Sequence, residues 1–106
     1  MTAPHVSEDE FLTAVLDLAQ LRRWHVLHLR PARTARGWET PIQAGGKGWP
    51  DVFATRGARA IALELKSAHG QTTPEQDRWI SDLDQAGIQA LVVRPADWPM
   101  IVRLLS

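Results

Sequence analysis

Two strand-like runs, Val52-Phe53-Ala54-Thr55 and Ala60-Ile61-Ala62-Leu63-Glu64-Leu65-Lys66, stand on either side of Arg56-Gly57-Ala58-Arg59. Apolar and β-forming residues flanking a glycine-bearing tetrapeptide are the pattern of a β-hairpin. A turn centred on Gly57-Ala58 pairs Arg56 with Arg59, and continuing that register outward sets Asp51 opposite Glu64. Directly opposed residues have Cβ atoms about 4.5–5.5 Å apart. Two carboxylates that close repel, so one must be protonated or a cation must lie between them. Alternation along the second strand puts Ile61, Leu63 and Leu65 on one face and Ala62, Glu64 and Lys66 on the other. Paired carboxylates are hard oxygen donors that suit Mg²⁺ or Mn²⁺, completed by a backbone carbonyl, waters and a substrate phosphate. Lys66 can then orient or deprotonate an attacking water, or stabilise negative charge developing on phosphorus. A lone Glu-x-Lys is by default a solvated strand face. The opposed Asp51 favours a site, as do the small Ala60 and Ala62, which are expected to leave room for a ligand.

The rest of the chain frames this hairpin. Ser7 with Glu10 three residues later has the form of a capping box, and Phe11, Leu12, Val15, Leu16 and Ala19 recur at helical spacing, predicting a helix over 8–22. Trp24 to Arg30 reads as a strand that stops at Pro31. From Pro31 to Gly48 the residues Arg, Gly, Pro and Thr dominate, predicting a long loop with a short extended piece around Thr40 to Ala44. Thr73-Pro74-Glu75-Gln76 opens a second helix, with Thr as cap, Pro at the first position and Gln at the third, and Gly87 ends it. Trp79, Ile80 and Leu83 form its buried stripe. Ile88 to Arg94 is a final strand, and Asp97 is placed to cap a short helix with stripe Trp98, Ile101, Val102 and Leu105. The order αβββαβα indicates an α/β fold, a small mixed β-sheet flanked by helices. With 106 residues and 44% apolar content, residues 1–106 make one domain.

Composition excludes more than it assigns. The absence of cysteine rules out disulfide scaffolds, thiol nucleophiles and thiolate metal sites, so any metal is held by oxygen or imidazole. A reducing, cytoplasmic setting is expected, with no secretory start and no run long enough to span a membrane. The net charge is zero, yet Arg22, Arg23, Arg30, Arg33, Arg36 and Lys47 face the single acid Glu39 between positions 22 and 47. That stretch suits phosphate binding, or is an ordinary solvated surface.

Other candidates are more ambiguous. Glu8 heads the apolar stripe of the first helix and is expected to point inward, as a metal or water ligand or simply as a favourable charge at a helix N-terminus. Gln76 is explained by its capping box, yet it heads the face of Trp79, Ile80 and Leu83 and could reach the edge of the site. His25 and His28 fall on opposite strand faces and cannot chelate one metal. His69, in the loop after Lys66, could touch substrate. Trp38 and Trp49 flank the basic loop and could stack on a base, although core packing is the default for any tryptophan.

The ordered set Glu8, Gly48-Trp49-Pro50-Asp51, Glu64-Leu65-Lys66 and Gln76 resembles the VRR-NUC (virus-type replication-repair nuclease) domain of the PD-(D/E)XK nuclease superfamily. The similarity extends over nearly the whole chain, including Arg36-Gly37-Trp38-Glu39-Thr40-Pro41, Gly70 and Ala90-Leu91-Val92-Val93. It implies a restriction-endonuclease-like core and a Mg²⁺- or Mn²⁺-dependent DNA endonuclease. Asp51 and Glu64 would be metal ligands with the Leu65 carbonyl, Lys66 the catalytic lysine, and Glu8 and Gln76 supporting residues. Arg33, Arg36, Trp38, Lys47 and His69 would contact DNA. Stand-alone members of phage and bacterial type suggest branched DNA such as a Holliday junction as substrate, and a homodimer, since two symmetric incisions need two active sites. Five tryptophans in so small a chain fit an aromatic subunit interface. A catalytically silent DNA-binding module and a general or restriction-type nuclease are the alternatives.

Overall fold

The computed structural model describes residues 6–29, 32–34, 37–39 and 44–106, with side chains over 6–29 and 44–106. Its frame is a four-stranded sheet of β1 (His25–His28), β4 (Val52–Arg56), β5 (Arg59–Leu65) and β6 (Gln89–Val93), in that spatial order. The first three are antiparallel neighbours, whereas β6 runs parallel to β5. A parallel neighbour requires a crossover. Helix α2 (Pro74–Gln85) supplies it and packs on β5 and β6. Helices α1 (Glu8–Leu21) and α3 (Trp98–Leu105) pack against each other, and α1 also meets β1 and β5. The mixed sheet with flanking helices and the αβββαβα frame agree with the sequence reading.

Local chemistry accounts for the element ends. Ser7 Oγ accepts the Glu10 N–H at 3.1 Å and starts α1. Thr73 and Gln76 form a reciprocal capping box at α2, with Pro74 at its first position. Gly57 takes φ +59° in the β4–β5 turn, where Arg56 pairs with Arg59 as the spacing requires. Asp97 behaves differently from expectation. Its carboxylate accepts the Arg94 N–H at 2.8 Å and closes the turn Pro95–Asp97, and gives no side-chain cap to α3.

The expected loop over 31–48 contains a short antiparallel pair, β2 (Ala32–Thr34) and β3 (Gly37–Glu39), with Arg33 opposite Trp38. Three-residue strands are too short to show alternation, and Ala35-Arg36 between them lacks the glycine or asparagine that marks tight hairpins. Apart from Ala44, the extended piece expected around Thr40 lies outside the described residues.

Two apolar layers hold the sheet. Phe11, Val15 and Ala19 of α1 and Ile101 and Leu105 of α3 bury against Val52, Ala54, Ile61, Leu63, Leu65 and Val93. On the opposite face Leu83 of α2 covers Ala62 and Ala90, with Trp49, Phe53, Trp79, Ile80 and Ile88 around them. Ala62 is fully buried, which corrects the expectation that it leaves space for a ligand, while Ala60 is half-buried. The small size of Ala62 lets α2 approach the sheet closely, because interiors close-pack and a helix fills the gap.

Candidate active site

Asp51 immediately precedes β4 and continues its register, so it meets β5 at Glu64 and Leu65. The contact is reciprocal. The Asp51 N–H donates to Glu64 Oε2 at 3.2 Å, and the Leu65 N–H donates to Asp51 Oδ2 at 2.8 Å. Each carboxylate thus holds the backbone beside the other, which fixes both side chains without a long polar network. Glu64 is only 2% exposed and is the buried charged residue of the described core. Lys66 follows β5, tied by its N–H to the Val93 carbonyl at 2.9 Å, and its Nζ lies 3.5 Å from Glu64 Oε1. Asp51, Glu64 and Lys66 are therefore brought together at one end of the sheet.

The electrostatics are unbalanced. Burial, and then the negative charge of Asp51, push the Glu64 carboxyl up to about 7, while Lys66 pulls the other way. One ammonium does not offset two carboxylates and the loss of water. A carboxyl so perturbed in such a pair is a functional signature with a physical rationale.

Two further residues build this corner, and the sequence reading assigned them no role. Gly48 has φ +87°, and a Cβ there would stand 2.6 Å from the Glu75 backbone carbon and 2.7 Å from the Gln76 nitrogen. Only glycine lets the chain entering Trp49-Pro50-Asp51 rest on the first turn of α2. Arg94, at the end of β6, donates to the Ser67 and Gly70 carbonyls at 2.7 and 2.6 Å and holds the segment following Lys66. A glycine three positions before a candidate aspartate was a legible signal. No local pattern marks Arg94, since its partners are distant in sequence.

Among the described residues the remaining candidates make no side-chain hydrogen bond or ion pair with Asp51 or Glu64. Glu8 is exposed in an acidic first turn with Asp9 and Glu10, where carboxylates face the positive end of the helix dipole. The inward orientation expected for it is corrected, because the buried stripe is Phe11, Val15 and Ala19. Among the described residues no group of three or more His, Cys, Asp or Glu side chains could hold a metal, so Glu8 forms no three-carboxylate cluster with Asp51 and Glu64. Gln76 is half-buried, and its Oε1 accepts the Thr73 N–H at 2.9 Å. Lys47 is 83% exposed and lies 3.7 Å from Glu75. His69 is exposed. Arg36 and the side chains of Arg33 and Trp38 lie outside the described residues.

The sequence profile of the VRR-NUC domain matches residues 5–97. The chain belongs to the VRR-NUC family. A solved structure described as a VRR_NUC domain protein superposes with a TM-score of 0.63, at 23% identity, over 96% of this chain and 87% of that one. At that identity the likeness is one of fold. No curated protein matches the sequence. VRR-NUC domains are nucleases, so DNA is the substrate class that membership implies. Among the described residues no helix is long and apolar enough to cross a membrane.

Proposed function

We propose that this VRR-NUC domain is a Mg²⁺- or Mn²⁺-dependent endonuclease that hydrolyses phosphodiester bonds in DNA, with Asp51, Glu64 and Lys66 as its catalytic residues. One observation carries the reading: the Asp51 and Glu64 carboxylates interlock through each other's backbone, and the buried one, Glu64, has the Lys66 ammonium 3.5 Å away. The donor set fits a hard divalent cation, because burial and then the Asp51 charge disfavour the ionised Glu64, and such an ion would offset both. Asp51 and Glu64 would hold it, with the Leu65 carbonyl. When bound, a metal of this kind acidifies water and withdraws charge from a phosphoryl oxygen. Lys66 Nζ donates toward an attacking water or a non-bridging oxygen and stabilises charge as it develops. The reciprocal hydrogen bonds keep both carboxylates positioned before substrate arrives. Lys47, Arg33, Arg36, Trp38 and His69 would contact the DNA, while Glu8 and Gln76 act as supporting groups.

The preferred substrate would be branched DNA, such as a four-way junction, cut by a homodimer in the cytoplasm of a bacterial or phage-infected cell. Purified protein is incubated with labelled four-way junction, flap, duplex and single-stranded DNA under Mg²⁺, Mn²⁺ or EDTA. Incision of branched DNA only with metal is expected. Binding without cleavage under every condition would replace the enzyme with a silent DNA-binding module, and equal cutting of all substrates would leave a general nuclease. A mass at sedimentation equilibrium that stays near 11.8 kDa, with or without junction, would remove the dimer.

A further inference from the structure

A cavity of about 520 Å³ opens beside this corner, between the end of β1 and the Gly45–Trp49 segment. Among the described residues its walls include Leu27, Leu29, Gly45, Gly46, Trp49 and Trp79. The volume is within the roughly 300–1,000 Å³ of small-molecule sites. The two indoles form a preset wedge, edge to face with centroids 5.0 Å apart, and Trp49 is braced by Phe53 at 5.7 Å. Trp79 Nε1 donates to the Gly45 carbonyl at 3.0 Å, which ties the glycine rim to α2. Leu27, on the opposite wall, is 48% exposed, so the cavity is open to solvent.

We infer that this cavity is a nucleobase pocket: it takes one unpaired base of a DNA strand whose phosphate lies at Asp51 and Glu64. The inference rests on the phosphodiesterase reading and adds to it a substrate class, DNA with an unpaired base at the cut. Aromatic and apolar walls suit a base, since every base presents a π-face. Among the described residues these walls are apolar and aromatic side chains and glycine backbone, which match a base better than a phosphate. Charge lies next door. A second cavity shares Gly45 and Trp79 and includes Lys47 and Arg78, whose ion pairs with Glu75 and Asp82 are exposed. Exposed pairs of this kind are weak and can exchange for a flanking phosphate. Position agrees with chemistry. Trp49 is two residues before Asp51, so their Cα atoms are no more than about 7 Å apart and one strand can reach both. Leu27 pairs with Phe53 and Phe53 with Ala62, so this wall is on the Glu64 face of the sheet. A base within a duplex stays stacked and must leave its partner to enter such a pocket.

The test uses a single-stranded octamer carrying one 2-aminopurine, and the same octamer with an abasic site at that position, titrated onto the full chain in EDTA. Quenching of the 2-aminopurine and at least about tenfold weaker binding of the abasic strand are expected. Gly45→Leu should bring the base-bearing strand down to abasic affinity. A Cβ at Gly45 meets nothing within 4 Å, so a side chain can be attached there without a clash at Cβ. Leu27→Glu, at an exposed position, makes the same test from the opposite wall. Equal affinity for the two strands, or a base preference untouched by both variants, would overturn the pocket. So would a dimer that Gly45→Leu dissociates while base preference persists, since a second copy would then be the occupant. Working in EDTA separates the two readings. Base-dependent binding by a protein that cuts nothing with metal supports the pocket and sinks the nuclease mechanism, whereas metal-dependent cleavage without base dependence does the reverse.

Discussion

The two ends of the β4–β5 hairpin face the same problem and resolve it differently. The antiparallel register opposes like charges at both, Arg56 with Arg59 at the turn and Asp51 with Glu64 at the other end. At the turn the guanidinium carbons stand 4.5 and 4.9 Å from the centre of the buried Trp24 ring. Arg56 donates to the Arg22, Leu105 and Ser106 carbonyls, and Arg59 to the Leu104 carbonyl and Gln89. Fixed dipoles and a π-face offset the repulsion, so this end needs nothing further. At the far end a single lysine stands beside the carboxylate pair, and burial, then the Asp51 charge, raises Glu64. Opposed charges that the protein itself satisfies are structural. Opposed charges left unbalanced mark the place where a proton, a cation or a substrate completes the site.

The largest expected effect is at the unbalanced end. Asp51→Asn, Glu64→Gln and Lys66→Ala should each reduce cleavage by about a thousandfold or more, the scale on which charge stabilisation of a transition state operates. Glu64→Gln should at the same time raise the melting temperature in EDTA at pH 8, because it removes a buried charge. A Glu64→Gln protein that melts lower would show that the contrast between the two ends is mistaken. At the balanced end, Trp24→Ala should destabilise the fold by about 3–5 kcal/mol in urea titration, since it removes a buried aromatic and strands two guanidinium groups. Loss of under about 1 kcal/mol would deny the ring that role.

The pH dependence sharpens the comparison on a smaller scale. Glu64 binds its proton more tightly folded, near 7, than unfolded, near 4.5. Between those values the native state holds more protons, so stability present below about 4.5 is lost as pH rises through about 7 and is level above it. The shift corresponds to something on the order of 3 kcal/mol. Chemical denaturation of the metal-free protein across this range should show the decline, and Glu64→Gln should abolish it. The smallest effect belongs to Glu8, exposed in the first turn of α1. Glu8→Gln should change cleavage by no more than a few-fold, and a loss as deep as that of Asp51→Asn would make it a ligand.

Much of this was legible along the chain. The hairpin register, the Ser7 cap, the Thr73–Gln76 capping box and the apolar stripes are local in sequence, and local rules govern them: residue spacing, turn chemistry and side-chain alternation. Hence Asp51 could be set against Glu64 from the turn alone, with Lys66 beside it. The failures share a cause too. Glu8 sits at the head of an apolar stripe, but a stripe gives direction and not reach, and its first turn favours solvent and the helix dipole. Asp97 had two backbone partners within a few residues, and the tight turn at Pro95 decided between them. Strands β2 and β3 were too short to carry a period.

The sequence by itself determined the α/β order, the pairing that opposes two carboxylates, and membership of the VRR-NUC family, because each depends on residues a few positions apart or on an ordered motif. Only the tertiary structure decided how deeply Glu64 is buried, that α2 and not a ligand fills the space over Ala62, that Gly48 must be glycine to rest on α2, and that Arg94 holds the segment after Lys66. Those outcomes depend on which elements pack together across the sheet. Burial, close approach and the balance of charge are properties of that packing, and no stretch of the chain carries them alone.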